Sequence, residues 1–181
     1  MNGTFWRVPY SHQPMRIAAG FDHAGYPLKG TIVAALEEAG HEVVDCGTDS
    51  AESADYPVHA AEAAGLVSDG RADLAVLACG SGTGVSIVAN KVPGVRAVNA
   101  HDPEEAEMAR RHNDANVLAL AGRTLSDGQA RAIIQAFLTA QFEGGRHQRR
   151  VDQIAAIESG EAATPATDSV GERRQARSTR L

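Results

Sequence analysis

Residues 72–92 have the sequence ADLAVLACGSGTGVSIVANKV, an apolar run followed by a glycine-rich loop and a helical pattern. The first eight residues are nearly all apolar, which is typical of a parallel strand covered on both faces. Gly80, Gly82 and Gly84 alternate with small hydroxyl residues, so the loop can bring backbone N–H groups close to a ligand. The stretch therefore predicts a strand–loop–helix unit with Cys79 at the entrance of the loop.

The same alternation of apolar runs and helical patterns continues along the chain from Met15. The predicted strands cover residues 16–20, 41–47, 72–79, 95–100 and 116–122, and the predicted helices cover 26–40, 55–70, 84–92, 102–114 and 126–142. Asp102 and Pro103 form an N-cap and a first-turn proline for the fourth helix. The alternation predicts parallel strands joined by helical crossovers, hence a three-layer α/β domain. Ligands of such sheets bind outside the carboxyl ends of the strands.

Composition narrows the class of protein. The chain has 181 residues, of which 43% are hydrophobic and 22% charged, as in an ordinary soluble globular domain. A formal net charge of -6 argues against nucleic acid as a partner. We expect no membrane association, since no apolar run approaches the ~20 residues that span a bilayer. Two cysteines and no signal-peptide pattern predict a cytoplasmic location.

The two ends of the chain differ in composition from its centre. Residues 1–14 are expected to be a loosely ordered extension, with Met15 as a candidate start. Residues 15–158 form the predicted domain. Residues 159–181 are small, polar and charged without an apolar periodicity, which predicts a disordered tail.

The glycine loop fits some phosphate and nucleotide motifs badly. A Walker loop needs lysine and then serine or threonine after its last glycine, but Val85 and Ser86 follow Gly84. The dinucleotide fingerprint needs a different glycine spacing, and a cysteine phosphatase would have arginine at position 85. An oxyanion cradle remains, with Cys79 as a proton-transferring base beside a helix N-terminus, which favours thiolate. The alternative is a buried structural cysteine.

Other candidate groups stand at strand and helix ends. Asp22 is either a helix cap or a proton-transferring carboxylate, and His23 could meet an anion. His112 ends the fourth helix. Arg146 and Arg150 are four residues apart, so they share a helix face that is either a phosphate site or a solvated basic patch. None of the seven histidines has a recognised metal-ligand spacing, so we predict no metal.

Taken in order, GFDHAGYPLK, DYP, CGSGTGVSIVANKVPGVRA, HNDANVLALAGR and EGGRHQRRV resemble the type B ribose-5-phosphate isomerases. Their family also contains the galactose- and allose-6-phosphate isomerases, and the resemblance covers about residues 15–158. It implies a Rossmann-like α/β/α sandwich with a five-stranded parallel sheet, and a homodimer with active sites between subunits. It also implies reversible aldose–ketose isomerisation of a sugar phosphate through a cis-enediolate, without metal or organic cofactor.

The resemblance also implies roles for individual residues. Cys79 would move the proton between C1 and C2, assisted by Ser81, and Asp22 and His112 would open the furanose ring. The implied substrate-binding residues are His23, Arg146 and Arg150 for the phosphate, Arg123, Tyr56 and Asn113 for the sugar, and Gly80, Gly82, Thr83 and Gly84 for the enediolate oxygen.

Two positions distinguish this chain within the resemblance. Some members have a glutamate base after the glycine loop, where this chain has Val85, so the cysteine version is indicated. Ser81 replaces the threonine that is common in the family and keeps the hydroxyl. In the galactose-6-phosphate isomerases one chain lacks the cysteine loop, and the other chain lacks the basic ending, which is EGGRHQRRV (143–151) in this sequence. This chain has both, which favours a self-sufficient homodimer. The resemblance makes ribose 5-phosphate the expected substrate. The alternatives are allose 6-phosphate, galactose 6-phosphate, a tetrose phosphate or a non-catalytic sugar-phosphate-binding role.

Overall fold

The computed structural model describes residues 13–162, which form five strands and six helices that alternate up to α5, after which α6 follows directly. The strands are β1 (Arg16–Phe21), β2 (Glu42–Asp45), β3 (Leu74–Cys79), β4 (Ala97–Asn99) and β5 (Val117–Ala121). The helices are α1 (Tyr26–Glu38), α2 (Tyr56–Ser68), α3 (Thr83–Ala89), α4 (Pro103–Asn113), α5 (Asp127–Thr139) and α6 (Arg146–Glu158). The predicted alternation is confirmed. β2 and β4 are shorter than predicted because each is an edge strand with one neighbour.

All five strands are parallel, in the order β2-β1-β3-β5-β4. The chain runs outward from β1 to β2 and then returns across β1 to β3. The direction of winding therefore reverses between the neighbouring strands β1 and β3, where Phe21 is in register with Ala78. Ligand crevices of open α/β sheets form at the carboxyl side of such a reversal.

Helices cover both faces of the sheet and make the three predicted layers. On one face α1, α4 and α5 bury residues such as Ile32 and Phe137, both 0% exposed. On the other face α2 and α3 pack closely, since the fully buried residues of α2 are all alanines, Ala60, Ala63 and Ala64. Burial of one large apolar side chain contributes about 1.5–3 kcal/mol. The α/β/α sandwich with a five-stranded parallel sheet is confirmed.

Helix α4 runs from the carboxyl ends of the strands back to their amino ends. We call these two sides of the sheet its carboxyl edge and its amino edge. It begins beside the carboxyl end of β4, where the Asp102 side chain accepts a hydrogen bond from Glu105 N at 2.9 Å. It ends at Asn113, and Asp114, with φ 48°, turns the chain into β5. Eleven residues at ~1.5 Å each give a length of roughly 16 Å. The end of α4 therefore lies at the amino edge of the sheet, and Glu143 N donates there to Arg111 O at 3.0 Å, which brings α6 alongside.

The domain boundaries remain predictions, because residues 1–12 and 163–181 lie outside the described part of the chain. Among the helices of residues 13–162, none combines the length and the apolar character needed to cross a membrane.

Candidate active site

A pocket of about 240 Å³ lies outside the carboxyl ends of β1 and β3. Its lining residues are Asp22, His23, Ala24, Tyr56, Cys79, Gly80, Ser81, Gly84 and Arg123. All except Ala24 belong to the site predicted from sequence. The reversal of winding thus brings together residues that are up to about a hundred positions apart in the chain.

Cys79 is the last residue of β3 and lies at the bottom of this pocket, 5% exposed. Its carbonyl oxygen accepts a hydrogen bond from Gly122 N at 2.7 Å, which fixes the strand end against the turn after β5. The Ser81 hydroxyl accepts a hydrogen bond from Thr83 N at 3.3 Å at the start of α3. Cys79 and Ser81 therefore line the same pocket beside the start of α3.

The glycine loop is held by a residue that sequence reasoning missed. Asn99, at the end of β4, donates from Nδ2 to Ser81 O at 3.2 Å and to Thr83 Oγ1 at 3.3 Å. Gly82 has φ 75°, and a Cβ at this position would collide with Asn99 Oδ1. A polar residue at the end of an otherwise apolar strand was the available signal.

Asp22 holds the turn before α1, which is the first of the two roles that its sequence position left open. It is 4% exposed, and its Oδ1 accepts hydrogen bonds from Ala24 N at 2.9 Å and Gly25 N at 2.8 Å. The second oxygen, Oδ2, receives no hydrogen bond from the described residues, so the carboxylate can still face a ligand. His23 Nδ1 lies 3.2 Å from both N and O of Ala54, which anchors the ring.

Two side chains lie over the glycines and narrow the pocket. The Arg123 guanidinium packs against Gly80, and Arg123 N donates to Gly80 O at 3.1 Å. The Tyr56 ring lies against Gly84. A larger residue at either glycine would displace these side chains, so the small residues let a cation and a phenol approach the loop.

The structure places the other predicted site residues elsewhere. His112 and Asn113 end α4, and Arg146 and Arg150 lie on the first turns of α6, at the amino edge of the sheet. None of these four residues lines the pocket around Cys79. Within one protomer the predicted site is therefore divided into two groups, separated by roughly the 16 Å length of α4.

The second group contains two further residues that sequence reasoning missed, Glu143 and His147. The Glu143 carboxylate accepts from Arg111 Nε at 2.7 Å and Nη2 at 2.5 Å, and this contact lowers the pKa of Glu143. Its Oε2 lies 3.6 Å from His112 Nε2 and 3.8 Å from His147 Nε2. The motif EGGRHQRRV contains both residues, but only its arginines were considered.

The imidazole rings of His112 and His147 are stacked, with centroids 4.2 Å apart and planes within 2°. Together with Glu143 they offer three ligand atoms within 4.8 Å of one another. An imidazole nitrogen binds a metal in its own ring plane, and two stacked parallel planes cannot share one ion. Arg146 Nε also donates to His147 Nε2 at 3.1 Å. This arrangement does not fit a metal centre without ring rotation.

Cys46, the other cysteine, belongs to the core. It is 6% exposed, and burial raises the pKa of its thiol to about 11. His59 Nδ1 lies 2.7 Å from Cys46 O and fixes the backbone there. Cys46 is therefore a core residue, and His59 holds the backbone beside it.

Comparison with known proteins agrees with this geometry. The ribose/galactose isomerase family model matches residues 17–154, and the chain belongs to that family. Among its curated relatives is ribose-5-phosphate isomerase B of Escherichia coli, 50% identical over 79% of this chain and 96% of the relative. The enzyme of the same name from Mycolicibacterium paratuberculosis is 41% identical over 87% of this chain and 100% of the relative.

Solved structures agree as well. Ribose-5-phosphate isomerase B of Clostridium thermocellum superposes with a TM-score of 0.79, at 45% identity, covering 81% of this chain and 99% of that one. The Mycoplasma genitalium enzyme, solved with bound ribulose-5-phosphate, gives 0.78 at 41% identity, covering 82% and 99%. The family resemblance stated from the motifs is confirmed.

Proposed function

We propose that this protein interconverts D-ribose 5-phosphate and D-ribulose 5-phosphate as a homodimer with active sites between its subunits. One observation carries the proposal: Cys79 ends β3, Asp22 directly follows the neighbouring strand β1, and both line one pocket with the glycine loop. The names of the relatives and the ribulose-5-phosphate bound to one of them support the substrate. The free, buried cysteines fit a cytoplasmic enzyme of carbohydrate metabolism.

The first chemical step is opening of the sugar ring. A base takes the proton of the O1 hydroxyl, the bond between C1 and the ring oxygen breaks, and an acid protonates that oxygen. Asp22 and His112 have the residue types for this exchange, and Asp22, whose Oδ2 accepts no hydrogen bond from the described residues, lines the pocket. The product of this step is the open aldehyde.

The second step moves hydrogen between the two carbons. The Cys79 thiolate takes the proton from C2, a C1–C2 double bond forms, and negative charge develops on O1. Backbone N–H groups of Gly80 to Gly84 stabilise this charge. A proton passes from O2 to O1 with help from Ser81, Cys79 returns its proton to C1, and C2 becomes the carbonyl. No electrons leave the substrate.

A second copy of the chain completes the site. The pocket of about 240 Å³ is smaller than the ~300–1,000 Å³ typical of ligand sites, as expected if it lacks a wall. His112, Arg146 and Arg150 lie at the far edge of their own sheet. In a two-fold dimer the amino edge of one subunit meets the pocket of its partner, which makes two equal sites.

Exposed apolar side chains near the pocket also favour an interface. Val58 on α2 is 63% exposed and Ile87 on α3 is 56% exposed. Both helices begin at the carboxyl edge of the sheet, and Tyr56 at the start of α2 lines the pocket. Burial of such residues stabilises association.

The test is turnover of ribose 5-phosphate by the wild type, Cys79→Ala and the matched control Cys46→Ala. We expect Cys79→Ala to lower kcat about 10³-fold, since general-base catalysis contributes about 10²–10⁴-fold, while its thermal unfolding stays unchanged. Cys46→Ala should keep kcat. A Cys79→Ala variant with wild-type kcat would contradict the mechanism.

The substrate is tested with ribose, allose, galactose and erythrose phosphates. The largest kcat/KM is expected for ribose 5-phosphate, and a larger value for another sugar would reassign the substrate. Binding without turnover of any of the four would support a sugar-phosphate-binding protein instead.

A further inference from the structure

His147 contacts two predicted site residues with different parts of one ring, and its Nε2 also lies 3.8 Å from Glu143 Oε2. Its face stacks on His112 at 4.2 Å between centroids. Its Nε2 accepts a hydrogen bond from Arg146 Nε at 3.1 Å. The side chain is 6% exposed, and His147 N donates to Gly144 O at 2.9 Å, which fixes the residue at the start of α6.

These contacts link two groups that act at different places on the substrate. His112 is proposed to act on the ring oxygen or O1, and Arg146 on the phosphate at the other end of the sugar. A histidine that only filled the core would pack against apolar side chains. His147 instead contacts two predicted site residues: its ring face stacks on the His112 ring, and its Nε2 accepts from the Arg146 guanidinium.

We propose that His147 is a positioning residue, whose ring face sets the plane of His112 and whose Nε2 sets the guanidinium of Arg146. The proposal rests on the proposed function and adds a residue to it. In this arrangement His112 and Arg146 keep a fixed separation, which matches the distance between the reacting oxygen and the phosphate in a sugar phosphate of one chain length.

The hydrogen bond from Arg146 to Nε2 requires a neutral His147 ring, and the surroundings of the ring act in that direction. Burial lowers its pKa, and His112, Arg146 and Arg150 lower it further, while Glu143 acts in the opposite direction. A neutral ring with a free lone pair on Nε2 accepts from the guanidinium, whereas an imidazolium would repel it.

Two substitutions separate the two contacts. His147→Gln keeps an acceptor near the position of Nε2 and removes the ring. His147→Phe keeps a flat ring and removes the acceptor. The matched control is His101→Gln. His101 is exposed beside Glu105 at the carboxyl edge of the sheet, whereas His147 lies at the amino edge.

The first readout is steady-state isomerisation of ribose 5-phosphate. We expect His147→Gln to lower kcat about 10–100-fold, as for a misplaced catalytic group, with KM within about twofold of the wild type. We expect His147→Phe to keep kcat within about threefold and to raise KM about fivefold, as for loss of one hydrogen bond. His101→Gln should change neither constant.

The second readout is exchange of the C1 hydrogen of ribulose 5-phosphate with deuterium oxide, measured by nuclear magnetic resonance. Ribulose 5-phosphate stays open because its O5 carries the phosphate, so this exchange needs Cys79 but no ring opening. His147→Gln should keep the exchange rate at saturating substrate within about threefold while isomerisation falls. A structural defect would lower both rates together.

Each outcome decides the role of His147. Equal losses of exchange and isomerisation in His147→Gln, or a kcat loss in His147→Phe as large as in His147→Gln, would overturn it. If His147→Gln does not fold, His147→Phe decides alone: a wild-type kcat with a raised KM supports the role, and a large loss of kcat or an unchanged KM refutes it. A wild type that neither isomerises nor exchanges would refute the proposed function instead.

Discussion

The division of the site between two sheet edges predicts that two inactive variants restore each other. Cys79→Ala removes the base at the carboxyl edge, and His112→Asn removes the ring-opening group at the amino edge. Because α4 holds these edges roughly 16 Å apart, one subunit cannot supply both groups to one substrate. A mixed dimer then has one site with both changes and one site with neither.

The expected recovery follows from counting sites. Random exchange of equal amounts makes about half of the dimers mixed, and each mixed dimer has one intact site of two. The mixture should therefore regain about a quarter of wild-type kcat per subunit. The assay is ribulose 5-phosphate formation before and after subunit exchange, with mixed dimers quantified by native mass spectrometry. Mixed dimers that form without any gain in activity would refute the shared site.

Three further predictions test the loop, the cysteines and the fold. Gly82→Ala and Gly94→Ala both place a side chain at φ 75°, so each should lower the free energy of unfolding by about 1–2 kcal/mol. Only Gly82→Ala should also lower kcat, because its side chain collides with Asn99. Equal kcat values for the two variants would contradict this. Iodoacetamide should label Cys79 before Cys46, because the pKa of Cys46 is about 11. Labelling should abolish activity, and ribose 5-phosphate should prevent this loss. Peptide mass spectrometry that finds Cys46 labelled first would contradict the prediction. Ser126→Ala removes the capping box of α5 and should lower the melting temperature by about 2–4 °C at unchanged kcat, measured calorimetrically at one protein concentration; an unchanged melting temperature would count against the cap.

Local signals were strong enough to predict most elements. Asp102 and Pro103 predicted the start of α4, and the structure shows the expected hydrogen bond to Glu105 N. The nearly continuous apolar run before Cys79 predicted a central strand, and β3 is buried along its whole length. Such features depend on residues close in sequence, so spacing and residue type are sufficient.

The arrangement of the site needed information that spacing does not contain. Sequence order does not show that β3 returns to the side of β1, which brings Asp22 and Cys79 to one pocket. It also does not show that α4 carries His112 to the opposite edge. The stacking of His112 on His147 joins the end of one helix to the start of another, 35 positions away, and only the packing of α6 reveals it.

Because the thiol loop and the basic ending fold at opposite ends of the sheet, damage to either one need not disturb the other. A duplicated copy of such a chain could drift at one end, keep its hydrophobic layers intact, and still serve beside an unchanged copy. Division of labour between two unlike subunits is thus an evolutionary route that this topology leaves open, with one chain specialising in proton transfer and the other in holding the phosphate.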